Sequence, residues 1–121
     1  MIHYEGLLAA RHAGIRSNCK RRRVGAAIRT FRGTYITGSN QSAITCEDCH
    51  RETCSAVHAE VSVIENLNIL AQYTHSETLF VWSEVPCNQC LSFIRLHSEI
   101  STIYCLTPHS YSVEYPLSPE R

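Results

Sequence analysis

Hydrophobic positions along this chain switch between helical and strand spacing in a readable order. Within residues 2–17, Tyr4, Leu7, Leu8 and Ile15 share one helical stripe, with Glu5, Arg11 and His12 among them, which predicts an opening helix. Val24 to Ile28 and Tyr35 to Ile36 read as two strands, and Arg32-Gly33 suits the turn of a hairpin between them. Gly38-Ser39-Asn40 closes the second strand, and residues 41–55 form a polar loop. A second helix is predicted from about Ala56 to Ala71, where Val57, Val61, Ile64 and Leu67 recur at helical spacing. Leu79-Phe80-Val81-Trp82 is a short, continuously apolar strand of the kind buried on both faces. Residues from Cys87 to about His97 predict a third helix with Leu91, Phe93 and Ile94 inward, and Thr102 to Leu106 a fourth strand. The order α-β-β-α-β-α-β points to an α/β sandwich, helices covering a mixed sheet.

Length and charge narrow the picture. At 121 residues the chain is expected to be one domain, 1–121, with its core over about 2–106 and a short tail at 107–121. Eleven basic residues balance eleven acidic ones, so the chain lacks the global basic field of a nucleic-acid binder. Lys20-Arg21-Arg22-Arg23 is a local exception. It could meet the phosphate of a mononucleotide or the backbone of a single strand, but no aromatic residue is interleaved with it, which favours a solvated or interface role. No apolar run approaches the roughly 18 residues that span a bilayer, and no membrane partner is expected. Tyr4, Glu5, Arg11 and His12 interrupt any secretory apolar segment. Seven cysteines without an export signal suggest metal binding in a reducing, cytoplasmic setting.

The chemistry concentrates in two short segments, His58-Ala59-Glu60 and Pro86-Cys87-Asn88-Gln89-Cys90. Alone, the first is an ordinary polar helical turn, and Cys-x-x-Cys more often marks a structural zinc or a redox pair. Together, each opening a predicted helix, they offer three zinc ligands, His58, Cys87 and Cys90. A catalytic zinc site keeps three protein ligands and one open position. Residues two apart on a helix do not share a face, so Glu60 does not duplicate the reach of His58 and can move protons at the open position. Positive helix N-termini would favour the thiolate forms of Cys87 and Cys90, and Pro86 suits a helix start.

This H-x-E…P-C-x-x-C arrangement is the signature of zinc deaminases acting on nucleobases. The chain resembles the cytidine/deoxycytidylate deaminase superfamily at these residues. His58 as first ligand, in place of a Cys, sets it apart from small free-cytidine deaminases. Cys19-Lys20-Arg21-Arg22-Arg23-Val24-Gly25-Ala26, the cysteine-rich approach Cys46 to Cys54, and Cys87-Asn88-Gln89-Cys90 are similar to the deoxycytidylate branch, over roughly residues 5–106. The resemblance implies a cytidine-deaminase-like α/β/α sandwich with four to five strands. It also implies a second, structural zinc, held by four of Cys19, Cys46, Cys49, His50 and Cys54. Asn40 and the backbone around Ala59 and Ser83-Glu84-Val85 are implied to contact the substrate; an Asn chosen for a left-handed turn is the plainer reading of Asn40.

Two departures stand out. The branch's Gly-Tyr-Asn-Gly is here Gly38-Ser39-Asn40-Gln41, which puts control by deoxynucleoside triphosphates in doubt. The branch continues after its fourth strand through a further helix and a fifth strand, whereas 15 residues remain after Leu106, room for a short strand but hardly for both. A shortened edge invites a neighbour, so a homo-oligomer is expected. The reading is therefore an enzyme for dCMP, or a 5-substituted dCMP, yielding the dUMP nucleotide and ammonia. Its alternatives are a deaminase of cytosine or adenine in single-stranded DNA or RNA, and a non-catalytic zinc-stapled interaction module.

Overall fold

Element order in the computed structural model is α1 (Ile2–Ile15), β1 (Gly25–Arg29), β2 (Tyr35–Ser39), α2 (Ala59–Leu70), β3 (Thr78–Trp82), α3 (Asn88–His97), β4 (Thr102–Leu106) and β5 (Ser112–Pro116). The residues described are 2–17, 23–30, 33–41, 58–70, 78–83, 88–98, 100–106 and 112–116. One five-stranded sheet runs β2-β1-β3-β4-β5. β1 is antiparallel to β2 and to β3, β3 and β4 are parallel, and β5 is antiparallel to β4. This is the expected cytidine-deaminase-like mixed sheet covered by helices.

Local sequence explains each connection. Gly33 has φ +88°, a left-handed value open to glycine, and donates its N–H to the Thr30 carbonyl at 3.0 Å. Thr30 N–H then reaches the Thr34 carbonyl at 2.8 Å, closing the β1–β2 hairpin. Parallel β3 and β4 require a crossover, which α3 supplies. Between β4 and β5 stand only residues 107–111. A parallel return needs about a dozen residues, so β5 can only fold back antiparallel. Antiparallel neighbours need no crossover helix between them.

The sheet separates two apolar layers. On one face, Ala26, Ile28, Val81, Ile103 and Cys105 pack with Val63 and Ile64 of α2 and Ile94 of α3. Leu67, Leu91 and Phe93 pack against this cluster from its rim. Each fully buried aliphatic side chain here contributes about 1.5–3 kcal/mol. On the other face, Ala27 and Phe80 meet Ala10 of α1, and Phe80 lies 6.0 Å from the Tyr104 ring, stacked, and 6.5 Å from Tyr35, edge-on. α1 sits close on this face because Gly25 has no side chain: a Cβ there would meet the Ala10 carbonyl. Of the stripe picked out by hydrophobicity, Leu7 packs against this cluster and the other three residues face away. Gly6, Ala10, Ala13 and Gly14 are buried, whereas Tyr4, Leu8 and Ile15 are exposed. No helix among the described residues is long and apolar enough to cross a membrane.

Candidate active site

Two helix starts build the site. α2 begins at Ala59, so His58 lies just before the helix and not in its first turn. Its carbonyl accepts the Ser62 N–H at 3.0 Å, the first bond of the helix. His58 therefore stands at the entrance of the helix and is half-buried. Glu60 follows in the first turn and is completely buried, as is Ala59 beside it. The positive end of α2 favours the Glu60 carboxylate. Cys90 lies in the first turn of α3 and is 3% exposed.

The three side chains converge. Cys90 Sγ is 3.1 Å from His58 Nδ1. One ligand atom each from His58, Glu60 and Cys90 lie within 4.8 Å of one another. For a zinc ion about 2.3 Å from sulfur and about 2.05 Å from nitrogen, tetrahedral ligands are about 3.6 Å apart. The observed S–N pair is thus already close to the spacing the metal demands. Soft sulfur and imidazole are donors that zinc selects, and the Glu60 carboxylate stands beside them. Burying a carboxylate is expensive unless its charge is balanced, and a divalent cation beside it provides that balance. The residues fit zinc.

Two strand ends carry polar residues of their own. Asn40, directly after β2, is buried, and its Oδ1 accepts the Val24 N–H at 2.9 Å. Its own N–H reaches the Val24 carbonyl at 3.2 Å, and its carbonyl accepts the Ser17 hydroxyl at 2.8 Å. Asn40 thereby continues the β1–β2 ladder beyond the strand ends. Its φ is not positive, so the left-handed turn does not account for it. Ser83, after β3, has φ +94°, donates its N–H to Leu106 O at 2.9 Å and its hydroxyl to Arg23 O at 2.9 Å. Neither Ser17 nor Ser83 as a strained anchor was legible in the sequence, since serine carries no signal for buried capping or for positive φ. Arg23, the last residue of the basic run, is exposed and donates to the Ile15 carbonyl at 3.3 Å. Cys87, the candidate structural ligands Cys19, Cys46, Cys49, His50 and Cys54, and Lys20 to Arg22 lie outside the described residues.

A polar cleft of about 260 Å³ lies elsewhere, along β2 between Arg16 and Gln41 on one side and Ser62 and Asn66 on the other. None of His58, Glu60 and Cys90 lines it.

Comparison with known proteins decides the family. The profile of the cytidine and deoxycytidylate deaminase zinc-binding region matches residues 3–107. The chain belongs to that family. With the His58–Glu60–Cys90 cluster, membership makes it a zinc-dependent hydrolase of the cytidine and cytosine-nucleotide deaminase class. Solved structures share the fold at low identity. A cytidine deaminase from Burkholderia pseudomallei is 18% identical with a TM-score of 0.69, covering 97% of this chain and 94% of its own. The dCMP deaminase from the cyanophage S-TIM5, in complex with dCMP and dUMP, is 23% identical with a TM-score of 0.69, over 86% of this chain and 79% of its own. Cytidine deaminase from Mycobacterium tuberculosis is 19% identical with a TM-score of 0.65, over 94% and 89%. No curated protein matches the chain.

Proposed function

We propose that this deaminase acts on a cytosine nucleotide, dCMP or a 5-substituted dCMP, releasing ammonia and the corresponding dUMP nucleotide. The observation that carries the reaction is the convergence of His58, Cys90 and the fully buried Glu60 at two helix starts. We assign His58, Cys87 and Cys90 as ligands of the catalytic zinc and Glu60 as the proton carrier. The nucleotide assignment rests on His58 as first ligand and on the cysteine-rich approach from Cys46 to Cys54.

When bound, zinc would supply Lewis acidity that lowers the pKa of a water towards about 7. Glu60 takes a proton from the attacking water and passes it to the ring nitrogen beside C4 of the cytosine. The water oxygen bonds to C4, which becomes tetrahedral. Glu60 then takes the proton of the new C4 hydroxyl and delivers it to the amino group; the C–N bond breaks as the C4 carbonyl forms, and ammonia leaves. Burial of Glu60 keeps bulk water from levelling these transfers. We assign Ala59, completely buried beside it, and the buried Asn40 as substrate contacts.

A structural zinc on four of Cys19, Cys46, Cys49, His50 and Cys54 belongs to the same reading; it would fasten the loop of residues 41–55. Metal analysis should then give two zincs per chain, with Cys46→Ser and Cys87→Ser each losing one. The substrate is tested by ammonia release from cytidine, dCMP, dCTP, guanine, adenosine and a cytosine-containing oligonucleotide. Turnover of dCMP is expected; turnover of the oligonucleotide without dCMP would overturn the substrate. Release from none of them, with zinc bound, would leave a zinc-stapled interaction module.

A further inference from the structure

Ser83 leaves β3 in a backbone conformation that suits glycine. Its φ of +94° lies in the left-handed region, which glycine takes without steric cost and a residue with a Cβ does not. Among the described residues it is the only non-glycine residue so placed. Such a residue persists only where its surroundings over-determine it. Two bonds hold Ser83 there: its N–H donates to the Leu106 carbonyl at the end of β4, at 2.9 Å, and its hydroxyl to the Arg23 carbonyl, at 2.9 Å. The first is a backbone bond that glycine would make equally well. The hydroxyl is what glycine lacks, so the bond to Arg23 is what serine adds at this turn.

The acceptor is itself held. The Arg23 guanidinium donates at 3.3 Å to the carbonyl of Ile15, the last residue of α1, where helix carbonyls favour a cation. Next along the chain, Asn40 Oδ1 accepts the Val24 N–H at 2.9 Å and the Val24 carbonyl accepts the Asn40 N–H at 3.2 Å. Arg23 is thus clasped between the end of α1 and the β1–β2 ladder, and it offers Ser83 a fixed point. β1 and β3 already pair as far as Gly25 with Trp82, and the Ser83 hydroxyl extends that join beyond the last rung. Residues 84–87 alone separate Ser83 from α3, which opens at Asn88 and brings Cys90 Sγ to 3.1 Å from His58 Nδ1.

We infer that Ser83 is a positioning residue of the metal site: its hydroxyl bond to Arg23 fixes the direction in which the chain leaves β3, and so where the Cys87–Cys90 turn meets His58. Ile94 anchors the middle of α3 in the core, and the turn at Ser83 anchors the approach to its start. His58 stands at the entrance of α2, so the ligands belong to two separately packed helices and meet only if both starts are placed. Zinc bond lengths are set to within about 0.2 Å, so a small swing of the turn is felt at the metal. The inference rests on the assignment of His58, Cys87 and Cys90 as zinc ligands. It does not depend on which cytosine compound is the substrate.

Competition of the zinc-loaded full chain with a chelator measures affinity for the zinc that Cys87→Ser removes, with urea unfolding and ammonia release run on the same variants. Ser83→Ala should bind this zinc at least about tenfold more weakly, the effect of losing a supporting bond around a metal centre. Ser83→Gly relieves the backbone strain and is the more stable of the two, yet it also lacks the hydroxyl and should bind zinc no better than Ser83→Ala. Measured against the wild type, it decides the matter if Ser83→Ala fails to fold. Thr34→Ala is the control. It removes the 2.7 Å hydroxyl contact with Thr30 in the β1–β2 hairpin, at the opposite end of β1 from Arg23, and should lower stability while leaving zinc affinity and turnover unchanged. Zinc affinity that merely follows stability, rising from Ser83→Ala to Ser83→Gly and falling in Thr34→Ala, would overturn the inference. So would wild-type affinity in both Ser83 variants. A wild-type chain that binds no such zinc would overturn the ligand assignment itself, and the inference with it.

Discussion

Replacing Gly38 by alanine tests how tightly the site is coupled to the sheet. Gly38 lies on β2 directly beneath α2, and a Cβ there would stand 2.6 Å from Val63 N, 3.0 Å from Val63 Cα and 3.1 Å from the Ser62 carbonyl carbon. All three obstacles are helix backbone, which cannot rotate aside. Non-bonded heavy atoms rest near about 3.5 Å, so α2 must retreat by about 0.9 Å or the strand must. Overpacking of this kind costs about 1–3 kcal/mol. The same helix carries His58 and Glu60 at its start, whereas Cys90 rides on α3, so the retreat also spreads the cluster. A misplacement of about 1 Å costs on the order of 100-fold in rate. Urea unfolding of the zinc-loaded variant, with steady-state ammonia release in parallel, measures both effects. Gly38→Ala should lose stability and turnover together. Stability within about 0.5 kcal/mol of the wild type and an unchanged kcat would refute the coupling.

Two further substitutions separate backbone from side-chain effects. Ser83→Ala removes the hydroxyl bond to Arg23 O and keeps the left-handed strain, at a cost of about 0.5–1.5 kcal/mol, whereas Ser83→Gly also relieves about 1 kcal/mol of that strain. Ser83→Gly should therefore unfold at higher urea than Ser83→Ala; the reverse order would count against strain at this position. The Tyr35 hydroxyl is shielded from solvent and, although the Arg29 side chain lies near it, makes no well-aligned hydrogen bond among the described residues. Its burial, and next the nearby Glu5 carboxylate, raise its pKa above the ordinary value, against a smaller opposing pull from Arg29. The folded state thus holds the phenolic proton more tightly than the unfolded chain, so this contribution is intact below pH ~10 and is lost as pH rises through the folded pKa. Tyr35→Phe should equal or exceed wild-type stability at neutral pH and flatten the alkaline decline; a loss above about 1 kcal/mol at pH 7 would show that the hydroxyl is well bonded.

Much of this architecture could be read from periodicity. The continuously apolar run at Leu79 to Trp82 became the buried β3, and Thr102 to Leu106 became β4, where Ile103 and Cys105 are buried in alternation. Ile94 and Ile64 mark the buried faces of α3 and α2 as their spacing suggested. α1 was harder, since hydrophobicity ranks Tyr4, Leu8 and Ile15 above Gly6, Ala10, Ala13 and Gly14. Space, not polarity, chose the face: the backbone of α1 lies too near Gly25 for large side chains. The ligand chemistry of His58, Glu60 and Cys90 was legible because residue type and spacing fix it. The departure of His58 from the helix was not, because a run of helix formers around it hides the boundary. Asn40 shows a different limit: its side chain extends a ladder across to Val24, a contact between distant positions that no local pattern encodes.

Glu60→Gln tests the central claim most directly, because it keeps the shape of the side chain and removes its capacity to carry a proton. The account predicts unchanged zinc content and a fall in ammonia release of at least about 100-fold, the scale of a lost general acid–base group. Release at near wild-type rates with zinc retained would contradict it.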